Sequence, residues 1–285
     1  MAGEQNITMA EASPVSVPLV AGVLGAENAA AASMARPSAT PPPDFAPYNA
    51  TSLWRPWPAV AAMVSIMAVS VLIALGGTML LAVLPVSASM PQSARIMLAM
   101  LAAQIIIVLG AVWAAQAKGD SASVALALKA PSGGFWTYAG AMVIVLAAVA
   151  AYTVFANVAF GHDPGQDLGD MIEIFRGPWW PLALAVIGAG APLSEELMFR
   201  GFLQTVLAGS RLGYWGAALV TTTIWTALHA GYSLIGLGEV FMIGIIFALF
   251  LRRTGSLRVT LVCHAIYNSG IALLMTFAPP DLMGM

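Results

Sequence analysis

WPAVAAMVSIMAVSVLIALGGTMLLAVL, residues 57–84, holds no Asp, Glu, Lys, Arg or His in twenty-eight positions. About twenty apolar residues cross the hydrocarbon core of a bilayer. A backbone in lipid must satisfy its own hydrogen bonds, and an α-helix does so within one segment. The stretch therefore predicts a membrane-spanning helix. Six further runs read the same way: 95–117, 134–160, 179–208, 213–231, 235–252 and 256–278. Short polar breaks separate them, such as PVSASMPQS (85–93) and GHDPGQDLGD (161–170). No repeat of 20–50 residues is visible. The expected fold class is all-α, a polytopic membrane helical bundle of about seven transmembrane helices.

The composition of the whole chain agrees. Of 285 residues, 60% are hydrophobic and only 8% charged, with mean hydropathy +0.86. A soluble domain carries about a quarter charged residues, so most of this surface must face lipid. A net charge of −2 argues against a nucleic-acid partner, which needs a basic face. The single cysteine, Cys263, excludes an intramolecular disulfide and a Cys-rich metal site. Next to His264 it reads as packing, because neighbours on a helix diverge.

Residues 1–52 are expected to be a disordered Ala/Pro-rich tail, with a weak helix near 15–34. Prolines 41–43 forbid regular helix, and the first basic residue, Arg36, comes too late for a signal peptide. Residues 53–285 are expected to form the transmembrane domain. Arg36, Arg55, Lys118, Lys129, Arg211, Arg252, Arg253 and Arg258 gather on one side of the predicted spans, and Arg95 and Arg176 on the other. That asymmetry predicts a cytoplasmic N-terminus. It also turns the loop with Asp163, Asp167, Asp170 and Glu173 outward. The topology and the Ala-rich style fit a bacterial inner membrane.

Against this apolar background, SEELMFRGFLQ (194–204) places Glu195, Glu196 and Arg200 inside a span. A charge at a helix centre costs about 2.5–3.5 kcal/mol on insertion scales, so these groups must pair or face water. Glu196 and Arg200 are i,i+4, share a helix face and can pair. Glu195 points elsewhere and is left free. WTALH (225–229) and CHAIYN (263–268) carry two further i,i+4 stripes, Trp225 with His229 and His264 with Asn268. Three inward stripes describe a polar chamber in a bundle. A carboxylate there suits a general base, an imidazole can hold a water, and a second imidazole with a carboxamide can donate to an oxyanion. Together they make a hydrolase for an acyl bond.

Each stripe also has a structural reading. Pro192 and Ser194 could break the span and cap a new helix at the glutamates. His229 could be a satisfied packing histidine, and His264 with Asn268 interhelical glue. Trp225 reads as packing, and Glu239 with Arg252–Arg253 as interfacial anchors. A proton-coupled transporter using the same buried groups, or a non-catalytic immunity protein, stays open at this stage.

The three stripes in this order, with EELMFRGFLQ (195–204) and RRTGSLRVTLVCHAIYNS (252–269), resemble the motifs of the CPBP family. This is the CAAX-protease and bacteriocin-processing, or Abi, group of polytopic membrane endopeptidases, related to the Ras-converting CAAX prenyl endopeptidase. The resemblance covers about 178–275. Trp225 departs from it, since the family often has Phe there. The resemblance implies that Glu195 is the general base, that His229 positions the water, and that His264 and Asn268 stabilise the oxyanion. Glu196 and Arg200 then support the site. The family has been called metalloprotease, and Glu195, His229 and His264 could hold zinc. The chain has no HExxH, and a zinc set would leave no separate base, so no metal is favoured. The implied substrate is a membrane-embedded or lipid-anchored peptide or protein. The sequence leaves the oligomeric state open.

Overall fold

The computed structural model describes residues 48–118 and 121–279. Contacts divide the chain into units Met1–Asp44 and Phe45–Met285; all described residues belong to the second. The expected tail therefore lies outside the described residues up to position 47. Its last part is placed and packed. The Tyr48 hydroxyl meets Thr205 Oγ1 at 2.8 Å, and its ring stands edge-on to Tyr214. Trp54 Nε1 donates to the Ala114 carbonyl at 2.7 Å. Burial pushes the Tyr48 phenol up to about 12, so it stays a neutral hydrogen-bonding group.

Among the described residues six helices are long and apolar enough to cross a membrane: α1 Pro56–Val83, α2 Gln92–Gln116, α3 Gly134–Phe160, α4 Trp180–Ala208, α6 Leu234–Thr254 and α7 Leu257–Phe277. Between α4 and α6 lies α5, Gly213–Ala227, of 15 residues. At 1.5 Å per residue it is about 22 Å long, short of the roughly 30 Å core. The fifth expected span, 213–231, thus forms as a shorter helix; it still carries the chain from the end of α6 where Tyr214 Oη bonds the Ala248 carbonyl to the end where Ser233 N–H bonds Asp167. The chain leaves the helix at Leu228 because His229 N–H bonds the Thr226 carbonyl and Tyr232 N–H the His229 carbonyl. His229 thus sits in a turn, not on a helix as its i,i+4 spacing suggested. No strand occurs among the described residues.

Punctuation follows the sequence. Pro56 occupies the first turn of α1, where its missing N–H costs nothing. Gly255, at φ 63°, lets α6 turn into α7. Ser233 caps α6 by accepting from Gly236 N–H at 3.0 Å.

The helices divide by environment. Leu72, Leu75 and Met79 of α1 and Phe155 and Val158 of α3 stay exposed, which in a spanning helix means facing lipid. α4 is the central element. Its Met198, Phe199, Phe202 and Leu203 pack among Ala111, Ala114 and Ala115 of α2, Trp225 of α5, Phe247 of α6 and Leu257 and Cys263 of α7. The alanines on α2 let it approach α4 closely. A second cluster seats Ile172 and Phe175, from the short helix Gly169–Arg176, against Ala272 and Met275 of α7.

α4 is not a regular α-helix. It widens into π-helical turns at Leu184–Gly190 and Glu196–Leu203; the Gln204 N–H reaches the Phe199 carbonyl, five residues back. Wide turns of this kind are often found at functional sites. Here the first of them offers carbonyls to other helices. The Val186 carbonyl accepts from Gln104 Nε2 at 3.1 Å, Ile187 from Asn268 Nδ2 at 3.1 Å and Gly188 from Ser269 Oγ at 3.3 Å.

Candidate active site

The second wide turn of α4 opens on Glu196, directly after Glu195, so the two carboxylates part into different surroundings. The Glu196 and Arg200 side chains are both 0% exposed. Arg200 Nη1 donates to Glu196 Oε1 at 3.1 Å, as the i,i+4 spacing predicts. The same oxygen lies 3.0 Å from His264 Nδ1. Glu196 therefore joins α4 to α7 as well as bracing its own helix. A carboxylate oxygen there accepts, so Nδ1 carries the proton. The Arg200 guanidinium lies over the Trp225 ring, 4.0 Å from its centroid, which offsets part of its desolvation.

Glu195 has the other environment. Its side chain keeps 24% of its surface exposed, and Oε2 stands 4.0 Å from His264 Nε2. Trp225 Nε1 donates to that oxygen at 2.6 Å. His264 is thus flanked by both glutamates, one nitrogen toward each. Nε2 is an acceptor in the neutral ring and a donor in the imidazolium.

His229 turns Nδ1 back to the Trp225 carbonyl at 3.0 Å. A carbonyl only accepts, so this nitrogen is the donor and Nε2 is left as an acceptor. Asn268 gives one amide hydrogen to the Ile187 carbonyl and keeps a second.

A cavity of about 240 Å³ adjoins these groups, lined by Trp225, His229, His264 and Asn268 together with Ile187, Val240, Ile243 and Ile271. Glu195 does not line it; its carboxylate contacts two residues that do. The structure thus gathers all six site residues expected from sequence, with Glu195 behind Trp225 and His264.

Sequence reading missed the cavity's other polar end. Glu239, read as an interfacial anchor, lines the cavity and accepts from Tyr267 Oη at 3.0 Å. Tyr267 precedes Asn268 in CHAIYN, and its i,i+3 relation to His264 was the available signal. Asp167, from what reads as a plain connector, accepts from Ser233 N–H at 2.7 Å and Ser233 Oγ at 2.9 Å. His162 Nε2 lies 3.3 Å from Asp167 Oδ2. These contacts tie the 161–168 loop across one end of the cavity.

Among the described residues no three of His, Cys, Asp or Glu come together as a metal-holding group. His264 Nδ1 bonds Glu196 and His229 Nδ1 the Trp225 carbonyl, so in the neutral rings both Nε2 lone pairs stay free.

Gly244 of α6 brings its backbone close against the site. A Cβ there would lie 2.6 Å from Thr222 Cγ2, 3.0 Å from Arg200 Nη2 and 3.2 Å from Trp225 Cε3. Gly244→Val is expected to destabilise the protein by about 1–3 kcal/mol, the usual cost of overpacking. Thermal unfolding in detergent reads this; an unchanged midpoint would mean that the contact yields freely.

Residues 177–270, which contain Glu195, Glu196, Arg200, Trp225, His229, His264 and Asn268, match the family model described as type II CAAX prenyl endopeptidase Rce1-like. An uncharacterized 24.3 kDa protein of Escherichia coli is 36% identical over 86 residues, 29% of this chain and 39% of that protein. The chain thus spans about two fifths of that relative's length. No solved structure matches. The family resemblance carried by the three motifs is borne out over this segment. The segment is similar to CAAX-type endopeptidases in general, and the six long apolar helices make the protein an integral multi-pass membrane protein.

Proposed function

We propose that this chain, with its Rce1-like segment, is an intramembrane endopeptidase that hydrolyses a peptide bond in a membrane-embedded or lipid-anchored substrate. Glu195 is the general base. It takes a proton from a water that His229 Nε2 helps to orient. The resulting hydroxide attacks the scissile carbonyl carbon. The oxyanion then accepts hydrogen bonds from His264 Nε2–H, in the imidazolium form, and from the second amide hydrogen of Asn268. As the tetrahedral intermediate collapses, Glu195 returns its proton to the departing amine nitrogen. Glu196 and Arg200 hold the site together.

The observation that carries this reading is the division of two adjacent glutamates. One is wholly buried and doubly paired. The other is partly exposed and faces the His264 imidazole across 4.0 Å. A gap of that length between two polar groups is one a single water bridges.

The protein sits in a bacterial inner membrane with its N-terminus cytoplasmic. The water is activated without a metal. The test is the purified full chain in vesicles with internally quenched, membrane-anchored peptides in ¹⁸O-water. Hydrolysis places one ¹⁸O in each new carboxyl group, and a transporter or scaffold would release no product. Activity is expected to survive prolonged treatment with a strong chelator. Chelator-sensitive cleavage together with stoichiometric zinc would overturn the metal-free reading.

A further inference from the structure

Trp225 has the density of contacts that packing alone does not require. It is 3% exposed. Its indole N–H donates to Glu195 Oε2 at 2.6 Å. Its face carries the Arg200 guanidinium, whose Nη1 pairs with Glu196. Its edge meets His264, at 5.7 Å between ring centroids, and His229, at 5.0 Å. Its backbone carbonyl holds His229 Nδ1. One residue thus touches the base, the water-orienting imidazole, the oxyanion imidazole and the buried arginine.

We infer that Trp225 is a positioning residue that aims the Glu195 carboxylate through its indole N–H and fixes the His229 tautomer through its carbonyl. The inference rests on the proposed peptidase reading and adds a donor to it. A phenyl ring fills much of the same space and stacks with an arginine, but it has no N–H. Without that donor, Oε2 loses its only hydrogen bond among the described residues, and the carboxylate is free to turn away from His264. The carbonyl contact to His229 belongs to the main chain and survives a change of side chain, so Trp225→Phe isolates the N–H.

Two readouts test this on the full chain. The first needs no substrate. With ¹⁵N-labelled indoles, the eight tryptophans give separate N–H resonances, and Trp225→Phe identifies the one from position 225. Glu195→Ala is expected to move that resonance upfield and to leave the others in place. An unmoved resonance would overturn the clamp, whether or not the protein is a peptidase. The second readout is kinetic, on a quenched membrane-anchored peptide in phosphatidylcholine–phosphatidylglycerol vesicles. Trp225→Phe is expected to lower kcat by about 10- to 100-fold with KM unchanged, the range set by one hydrogen bond to a charged group. An unchanged kcat, or a loss confined to KM, would overturn the positioning role. If Trp225→Phe does not fold, β-(3-benzothienyl)alanine at 225 keeps the indole's shape with sulfur in place of N–H and serves both readouts. A wild-type chain that cleaves nothing would remove the peptidase reading and the kinetic half of the inference; the resonance would still report on the clamp.

Discussion

Glu195→Gln is expected to lower kcat/KM for peptide cleavage by about 10²- to 10⁴-fold, the contribution usual for a general base. Glutamine has nearly the same shape, and its carbonyl can still accept from Trp225 Nε1, which donates to Glu195 at 2.6 Å. What it lacks is basicity. The protein should therefore keep its unfolding midpoint while losing its turnover. Glu195→Ala should lose activity and some stability as well, because it leaves the Trp225 N–H buried without an acceptor. Comparing the two separates chemistry from support. If the glutamine variant cleaves at the wild-type rate, Glu195 is not the base.

The largest effect on stability is expected at Arg200. Arg200→Leu removes the cation beside a carboxylate that is itself fully buried. Breaking a buried pair by removing one partner costs about 3–5 kcal/mol, a large share of the about 5–15 kcal/mol by which proteins are usually stable. The combined Glu196→Leu, Arg200→Leu variant should recover much of that loss, since apolar replacement of a whole buried pair is often near neutral. Activity should not recover, because His264 Nδ1 has then lost Glu196, 3.0 Å away. Unfolding in detergent for the two single variants and the double gives the coupling directly. Additive losses would mean that the pair contributes nothing as a pair.

Much of this was legible in the chain itself, for reasons that differ by element. α3 was read as 134–160, and Gly134–Phe160 is what forms, because charge-free runs and Gly breaks are what a bilayer selects. α5 ends at Ala227, short of the 231 that the sequence predicts. Hydropathy registers Leu228 as one more apolar residue and cannot see the hydrogen bonds that make 228–232 a turn. The pairing of Glu196 with Arg200 was legible because it is local. The contact of Glu196 with His264 was not, because it joins residues 68 positions apart. The wide turns of α4 leave no mark in residue spacing, yet they supply the carbonyl that holds Asn268. Trp225 was read as packing because an apolar ring on a spanning helix usually is, and its N–H becomes decisive only once Glu195 is seen opposite it. Asp167 and His162 looked like loop polarity, and only the fold brings them to the cavity.

The site is economical in charge. Four of its ionisable groups are Glu195, Glu196, Arg200 and His264, and the ion pairs among them let them sit within spanning helices. The division of labour within the Glu195–Glu196 pair is the centre of the account, and one measurement addresses it most directly. Membranes from cells expressing the full chain as wild type or as Glu195→Gln are compared by mass spectrometry of peptide N-termini. New termini are expected with the wild type that are missing with the glutamine variant, and intact parent proteins are expected to co-purify with that variant. The same termini at the same abundance in both would contradict that division of labour.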